Sequence, residues 1–563
     1  MELQFSEWQS SVYGFPSTWK QKRDLVSHTT QTDEITSEEK GVQSAAAKES
    51  EAQTITEEER PISAEEFEKF PPSLFAFFSR VTEPVCQYLE QNCDPFTAEV
   101  FQDIGDADSV SELVETVKEY TLRSEKVPED FIGSCLSWSK AGSQIAIGYS
   151  YANHEVWCSH KAPVSSWNIL RTQNFHENIP TAEIFLPSCI CSMEFHPTDS
   201  SILAVGLYSG EVALVDLYSI EKGSVSGFTV KNEDTFDEWA QKNDPSSFVA
   251  DFGYTSYSSG HTLPVVSVKW IRLSSTQFSD LIRSGGGRDG RIDNVATSHC
   301  CLLTASKDGF ISLWSTNKAS NRLKLEKRFI VWADNLPEEV KIGNRNVSGM
   351  QEVGVTSMSC CKDDPYAMIF STFGSYLFQG NLLSEVEAYE AEAILQDTFA
   401  LNKDTLFSPA PVLLGQQEGC TVALDCSPFH RNVFLCATSD GRIFLKNLLQ
   451  PAVSIKELIV NTENKADETV VDAQWSARPM MLGVTCGSVL KIYDLLTGES
   501  PVSTIDHDSP VTKLAFNKSG SGTVAVADEK GRLHIWKLPT KLISQDPKEM
   551  EIFMETIKIQ SEI

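Results

Sequence analysis

Five times along this chain a glycine stands five residues ahead of the same slot in a short apolar strand: Gly210 before Val215, Gly309 before Trp314, Gly374 before Gln379, Gly441 before Lys446 and Gly531 before Trp536. In three of these copies an earlier strand ends fifteen residues ahead of the glycine, at Phe195, Cys426 and Phe516. The copy from Cys420 to Gln450 shows the unit whole: TVALDC alternates, SPFHRN turns, VFLCAT is apolar, SDG turns tightly and RIFLKNL closes. Alternation with period two marks a strand with one buried face. A glycine at the tight turn accepts positive φ without a Cβ clash. A sixth, slightly shortened copy lies around Trp475 to Asp494, and a seventh, around Trp138 to Trp167, has an insert in place of the glycine turn. Three-strand units repeating at about forty residues or more stack as blades, because no single unit buries its apolar faces alone. The expected fold is all-β, a seven-bladed β-propeller preceded by a disordered acidic tail and short helices.

The expected organisation is a tail over 1–69, a helical segment over 70–122, the propeller over 123–540 and a C-terminal helix over 541–563. Residues 1–23 carry Phe5, Trp8, Tyr13, Phe15 and Trp19 without a fold-forming pattern, either as a disordered tail or as partner anchors. Between Asp33 and Lys69 stand twelve Asp or Glu and four Lys or Arg, a net −8, a composition that buries too little apolar surface to offset the entropy of ordering. Within the tail, Thr30-Gln31-Thr32 places two Thr side chains on one face of an extended strand, and Gln53-Thr54 follows twenty-two residues on. Such peptides suit strand addition to an exposed sheet edge; an ordinary polar linker has the same look.

After Pro71-Pro72, Leu74, Phe78, Val81, Val85 and Leu89 fall on a helical stripe, with Pro84 placed to kink it. A second helix is expected from Ser109, where Ser109 and Glu112 form a capping box and Val110, Leu113, Val114 and Val117 its apolar face. Either a partner subunit or the flank of the propeller must cover these faces. Two long inserts interrupt the blades, Glu221 to Gly260 and Ser274 to His299, and the second reads as a flexible surface loop around Gly285 to Gly290. Its glycines lack the strand-to-helix setting and the Lys-Ser or Lys-Thr of a phosphate cradle. The last helix is expected from Asp546, faced by Met550, Phe553, Met554 and Ile557.

The net charge of −31 would repel a nucleic-acid backbone. No segment approaches the ~20 apolar residues of a membrane span. The fourteen cysteines form no CxxC pair and are expected as buried free thiols, and the ten histidines are expected to stand singly in turns and strands. No paired carboxylates or nucleophile elbow stand out, so no enzyme, metal site or cofactor is expected.

The repeat resembles WD-repeat proteins, although its slots read Trp167-Asn168, Val215-Asp216, Trp314-Ser315, Tyr493-Asp494 and Trp536-Lys537 rather than Trp-Asp. Only the third copy carries a full set for the hydrogen-bonding tetrad of that family: His261, Ser306, Asp308 and Trp314. FHPTDSSILAVGLYSGEVALVDL (195–217) and SPFHRNVFLCATSDGRIFL (427–445) are similar to the corresponding blades of dynein intermediate chains, most nearly the type found in cytoplasmic dynein 2, the ciliary retrograde motor. The likeness runs over roughly 15–540 and includes the order of tail, helical segment and propeller. It implies a non-catalytic scaffold for retrograde intraflagellar transport and cilium assembly, in the cytoplasm, the cilium and its basal body. The implied partners are the dynein 2 heavy chain, a second intermediate chain, and light chains of the eight-kilodalton, roadblock and Tctex types. Eight-kilodalton light chains would bind at Thr30, Gln31, Thr32, Gln53 and Thr54, a roadblock-type chain at Leu74, Phe78, Val81, Val85 and Leu89, and the heavy-chain tail at the propeller. His28 stands where the family commonly has a basic residue before the first motif, and Ala52 where the second would have its first Thr. An intermediate chain of another dynein, a general WD-repeat adaptor and a propeller enzyme with a site assembled from different blades remain open.

Overall fold

The structure, a computed structural model, describes Phe77 and residues 115–561 except 155–157, 159, 171–174, 222–259, 285–297, 318–321, 333–335, 338–339, 341–352, 362, 387–405, 461–468, 497, 499 and 544–546. The chain divides into two units, Met1–Val81 and Thr82–Ile563. Of the first, Phe77 is described, as an exposed helical residue.

The second unit holds seven sheets, antiparallel except where Leu406–Phe407 pairs parallel with Arg322–Ile330 at the edge of the third. Their inner strands are Phe131–Trp138, Ile190–Phe195, Val265–Ser274, Val355–Cys360, Thr421–Cys426, Val470–Trp475 and Val511–Phe516, numbered here as blades 1 to 7. Each inner strand packs beside the next, and that of blade 7 packs beside that of blade 1, so the ring closes. Among the described residues there is no eighth sheet in the long interval between Val215 and Trp314.

Closure uses the two ends of the domain. The outer strand of blade 7 is Val117–Leu122, paired antiparallel with Leu533–Lys537. Val117, expected on a helix face within a helical segment reaching to 122, begins this strand instead. VKEYTL carries Tyr120 and Leu122 at period-two spacing, and Leu122 is fully buried. The pairing satisfies backbone groups of a β edge, which a lone helix end could not do.

Within each blade the second strand is buried on both faces. AMIFST (367–372), VFLCAT (433–438), MLGVTC (481–486) and TVAVAD (523–528) are buried at every position, which explains their near-continuous apolar character. The turn glycines do what their spacing implies: Gly210, Gly309, Gly374, Gly441 and Gly531 have φ between 69° and 99°, and Gly487 serves the shortened sixth copy at 55°. At Gly210 a Cβ would also lie 2.0 Å from the His261 carbonyl oxygen.

A regular device joins the blades. The next-to-last residue of one inner strand accepts, through its side chain, a backbone N–H from the inner strand of the following blade. The donor is that strand's last residue except in blade 3, where Trp270 lies four residues before the strand ends at Ser274. Ser137 accepts from Phe195 (3.0 Å), Glu194 from Trp270 (2.6 Å), Ser359 from Cys426 (3.0 Å) and Asp425 from Trp475 (3.0 Å). Where that residue is Trp, its indole N–H adds a second bond to the carbonyl of the same neighbour, Trp270 to Glu194 (3.1 Å) and Trp475 to Asp425 (3.2 Å), and across the closure the Trp138 indole donates to the Ala515 carbonyl (3.0 Å). Buried backbone donors are thereby paired across blade boundaries that no β ladder spans.

Two helices qualify the expectations. Ser275–Ser284 occupies the start of the insert expected as a flexible loop, while Gly285 to Gly290 lie outside the described residues. The C-terminal helix spans Pro547–Ser561, with proline at its first position where the missing N–H costs nothing. It docks by Phe553 and Ile557, whereas Met550 and Met554, expected on the same face, are exposed together with Ile552. Phe553 packs edge-on to Trp475 at 6.1 Å. Arg478 donates to both carboxylate oxygens of the buried Glu549 and to the Lys541 carbonyl (2.9 Å).

Candidate functional site

Among the described residues, polar side chains gather at several places in the ring. The first is the tetrad of blade 3. Trp314 donates its indole N–H to Thr304 Oγ1 (2.9 Å), His261 Nε2 lies 2.8 Å from the same oxygen, and His261 Nδ1 stands 3.6 Å from Asp308 Oδ1. The hub is thus Thr304, not Ser306, which donates to the Leu263 carbonyl (2.8 Å). Residues 302, 304 and 306 share a face of the strand, and the two-residue spacing to Asp308 favoured the wrong one. Burial pushes the Asp308 carboxyl up, but the His261 imidazole and the N–H groups of Phe310 and Thr262 outweigh it and hold it down to about 2.

Blade 7 carries a second network with no counterpart in the sequence expectations. Buried Asp528 accepts from Ser509 Oγ (2.7 Å) and Arg532 Nε (2.7 Å), and His534 Nε2 lies 3.2 Å away. The other ring nitrogen of His534 faces Thr121 Oγ1 at 3.4 Å, which ties the closing strand to the blade. Burial opposes ionisation of Asp528, yet His534, Ser509 and Arg532 together hold its carboxyl well below the usual carboxylate range.

The third place is the axial channel, a cavity of about 360 Å³ lined by all seven inner strands. Glu194, Lys269, Asp425, Asp472 and Lys513 face it. Burial raises the Glu194 carboxyl above its ordinary value, and Glu194, 3.9 Å away, raises Lys269. Each carboxylate is engaged across a blade boundary: Glu194 and Asp425 as above, Asp472 with the N–H of Leu514 (3.2 Å) and with Lys513 (3.8 Å). These groups brace the ring and hold no nucleophile beside a base.

The ten expected light-chain residues, Thr30, Gln31, Thr32, Gln53, Thr54, Leu74, Phe78, Val81, Val85 and Leu89, lie outside the described residues. The thiols depart from expectation: Cys420 is exposed and several others are half-buried. So do the histidines, because His154 and His160 meet Cys158 and Cys189 in one cluster. Among the described residues no helix is long and apolar enough to cross a membrane.

A closed ring of seven blades, five of them four-stranded, with glycine turns in six and a Trp–Thr–His–Asp tetrad in the third, defines a WD-repeat β-propeller. No family model matches the chain. It is 26% identical over 554 residues to cytoplasmic dynein 2 intermediate chain 2 of Mus musculus, covering 96% of this chain and 90% of that protein. It is 27% identical over 490 residues to the protein of the same name in Homo sapiens, covering 85% of this chain and 78% of that one. The chain is thus similar to two dynein intermediate chains over most of its length.

Proposed function

We propose that the chain is a non-catalytic intermediate chain of a cytoplasmic dynein 2 motor that scaffolds light chains onto the heavy-chain tail for retrograde intraflagellar transport and cilium assembly. The observation that carries this reading is the similarity along 96% of the chain, tail and propeller alike. Force generation then belongs to another chain. In this reading the tail over 1–69 joins eight-kilodalton light chains through Thr30, Gln31 and Thr32, with Gln53 and Thr54 as a second site. The segment from 70 carries a roadblock-type chain on Leu74, Phe78, Val81, Val85 and Leu89. A second intermediate chain and a Tctex-type light chain complete the assembly, located in the cytoplasm and at the cilium and basal body. The propeller, braced at each blade boundary, offers a rigid surface that loses little freedom on binding, and it grips the heavy chain.

The two roles are separable. With recombinant heavy-chain tail and light chains, residues 115–563 should retain the heavy chain and no light chain that depends on Gln31. Residues 1–114 should do the reverse, and replacing Thr30, Gln31 and Thr32 by Ala should abolish light-chain binding in calorimetry. Retention of the heavy chain by 1–114 alone would overturn the assignment.

A further inference from the structure

Blade 1 differs from the other six at one point. Gly210, Gly309, Gly374, Gly441, Gly487 and Gly531 close the turn between second and third strands in blades 2 to 7. In blade 1 the strands Gln144–Tyr151 and Ala162–Asn168 are separated by an insert with no glycine. Three of its residues, His154, Cys158 and His160, meet Cys189, which immediately precedes the inner strand of blade 2. One ligating atom of each lies within 4.8 Å of all the others. Cys158 Sγ is 3.2 Å from His154 Nε2 and 3.7 Å from His160 Nδ1.

We propose that His154, Cys158, His160 and Cys189 form a structural zinc site that takes the place of the turn glycine and clips blade 1 to blade 2. Zinc bound tetrahedrally, with Zn–S about 2.3 Å and Zn–N about 2.0–2.1 Å, holds a sulfur and a nitrogen about 3.5 Å apart, and the two distances from Cys158 to the histidines fall on either side of that spacing. Two thiolates and two imidazoles complete the coordination and leave no open position, the mark of a structural site rather than a hydrolytic one. Thiolate and imidazole together favour zinc over the hard cations that carboxylates bind.

The surroundings orient these ligands. Tyr208 stacks on His154 (4.2 Å, 11° between planes) and Tyr151 stacks on His160 (4.3 Å, 19°), which fixes both imidazole planes. Cys158 Sγ accepts the Cys189 N–H (3.3 Å), and Cys189 Sγ accepts the Tyr151 N–H (3.2 Å). Backbone N–H groups aimed at sulfur support thiolates and belong to the shell that tunes a metal site. The contrast with Cys361 and Cys426 is instructive. Their sulfurs lie 3.8 Å apart, but no histidine joins them in a ligating group among the described residues. The His154 to His160 spacing gave no warning, because the fourth ligand is twenty-nine residues beyond His160.

The test is metal analysis of the full-length chain purified without chelator, beside the double variants Cys158→Ser with Cys189→Ser and His154→Ala with His160→Ala. Wild type should carry about one zinc per chain, and both variants should lose it. Cobalt(II) exchanged into wild type should give a thiolate-to-cobalt charge-transfer band that is absent from the variant carrying both Cys158→Ser and Cys189→Ser. If the variants do not fold, wild type alone decides: a strong chelator should lower its Tm and added zinc should restore it. Wild type that is metal-free and gives no cobalt band would overturn the proposal. So would zinc content equal in wild type and both variants, a Tm indifferent to chelator, or peptide mapping that finds Cys158 and Cys189 joined as a disulfide.

Discussion

Removing Val117–Leu122 should open the ring, although the strand contributes only six residues. Leu122 is fully buried against blades 1 and 7, and burying such a side chain stabilises by about 1.5–3 kcal/mol. The strand also runs a ladder from Val117 opposite Lys537 to Leu122 opposite Leu533, at about 1 kcal/mol net for each hydrogen bond. The sum is on the order of 5 kcal/mol, a large share of the roughly 5–15 kcal/mol that keeps a domain folded. Deletion would further leave Leu533–Lys537 as a bare edge, ready to pair with another chain. Two fragments, 115–563 and 123–563, isolate the effect. Thermal unfolding should show the shorter one melting well below the longer, and light scattering should show it self-associating as concentration rises. Equal Tm values with both fragments monomeric would refute the closing role of this strand.

Thr304→Val should cost more stability than Ser306→Ala, because it leaves the Trp314 indole and His261 Nε2 unpaired at about 1–3 kcal/mol each; chemical denaturation of the two variants decides. Burial first, then His534 and Lys118, outweigh Asp528 and Asp508 and hold His507 down to about 4. The unfolded chain, titrating near 6.5, then binds more protons between those values, so stability is full above pH 6.5 and falls as pH drops toward 4. His507→Gln should flatten that limb of a Tm–pH profile. Phe553→Ala removes a side chain that is 1% exposed, at about 3–5 kcal/mol. Hydrogen exchange over 547–561 should accelerate while the blade strands keep their protection.

Repeats and their turns were legible in the sequence, because positive φ selects glycine at a fixed spacing whatever the neighbouring residues are. The slot shared by Phe195, Cys426 and Phe516 was legible as a spacing, but not the work that slot does. Its partners, such as Glu194 for Trp270 or Asp425 for Trp475, come from the preceding blade, and only the curvature of the ring brings them within reach. The same holds for Val117–Leu122, which read as the end of a helical segment and whose ladder partner lies more than four hundred residues away. Thr304 and Ser306 stand two residues apart in one strand, and only the hydrogen bonds of the fold, Trp314 to Thr304 and Ser306 to the Leu263 carbonyl, distinguish them. The cluster at His154 escaped because the insert breaks the repeat that made the other blades readable. Residues 30–89, where the light-chain sites were expected, stand on the family resemblance and the peptide chemistry, since apart from Phe77 they lie outside the described residues.

Quantitative mass spectrometry of complexes purified on the tagged full-length chain tests the motor assignment most directly. The expected result is a dynein heavy chain at a fixed ratio to this chain, retained when Thr30, Gln31 and Thr32 are replaced by Ala while an eight-kilodalton light chain is lost. A folded chain that recovers no dynein heavy chain would contradict the account.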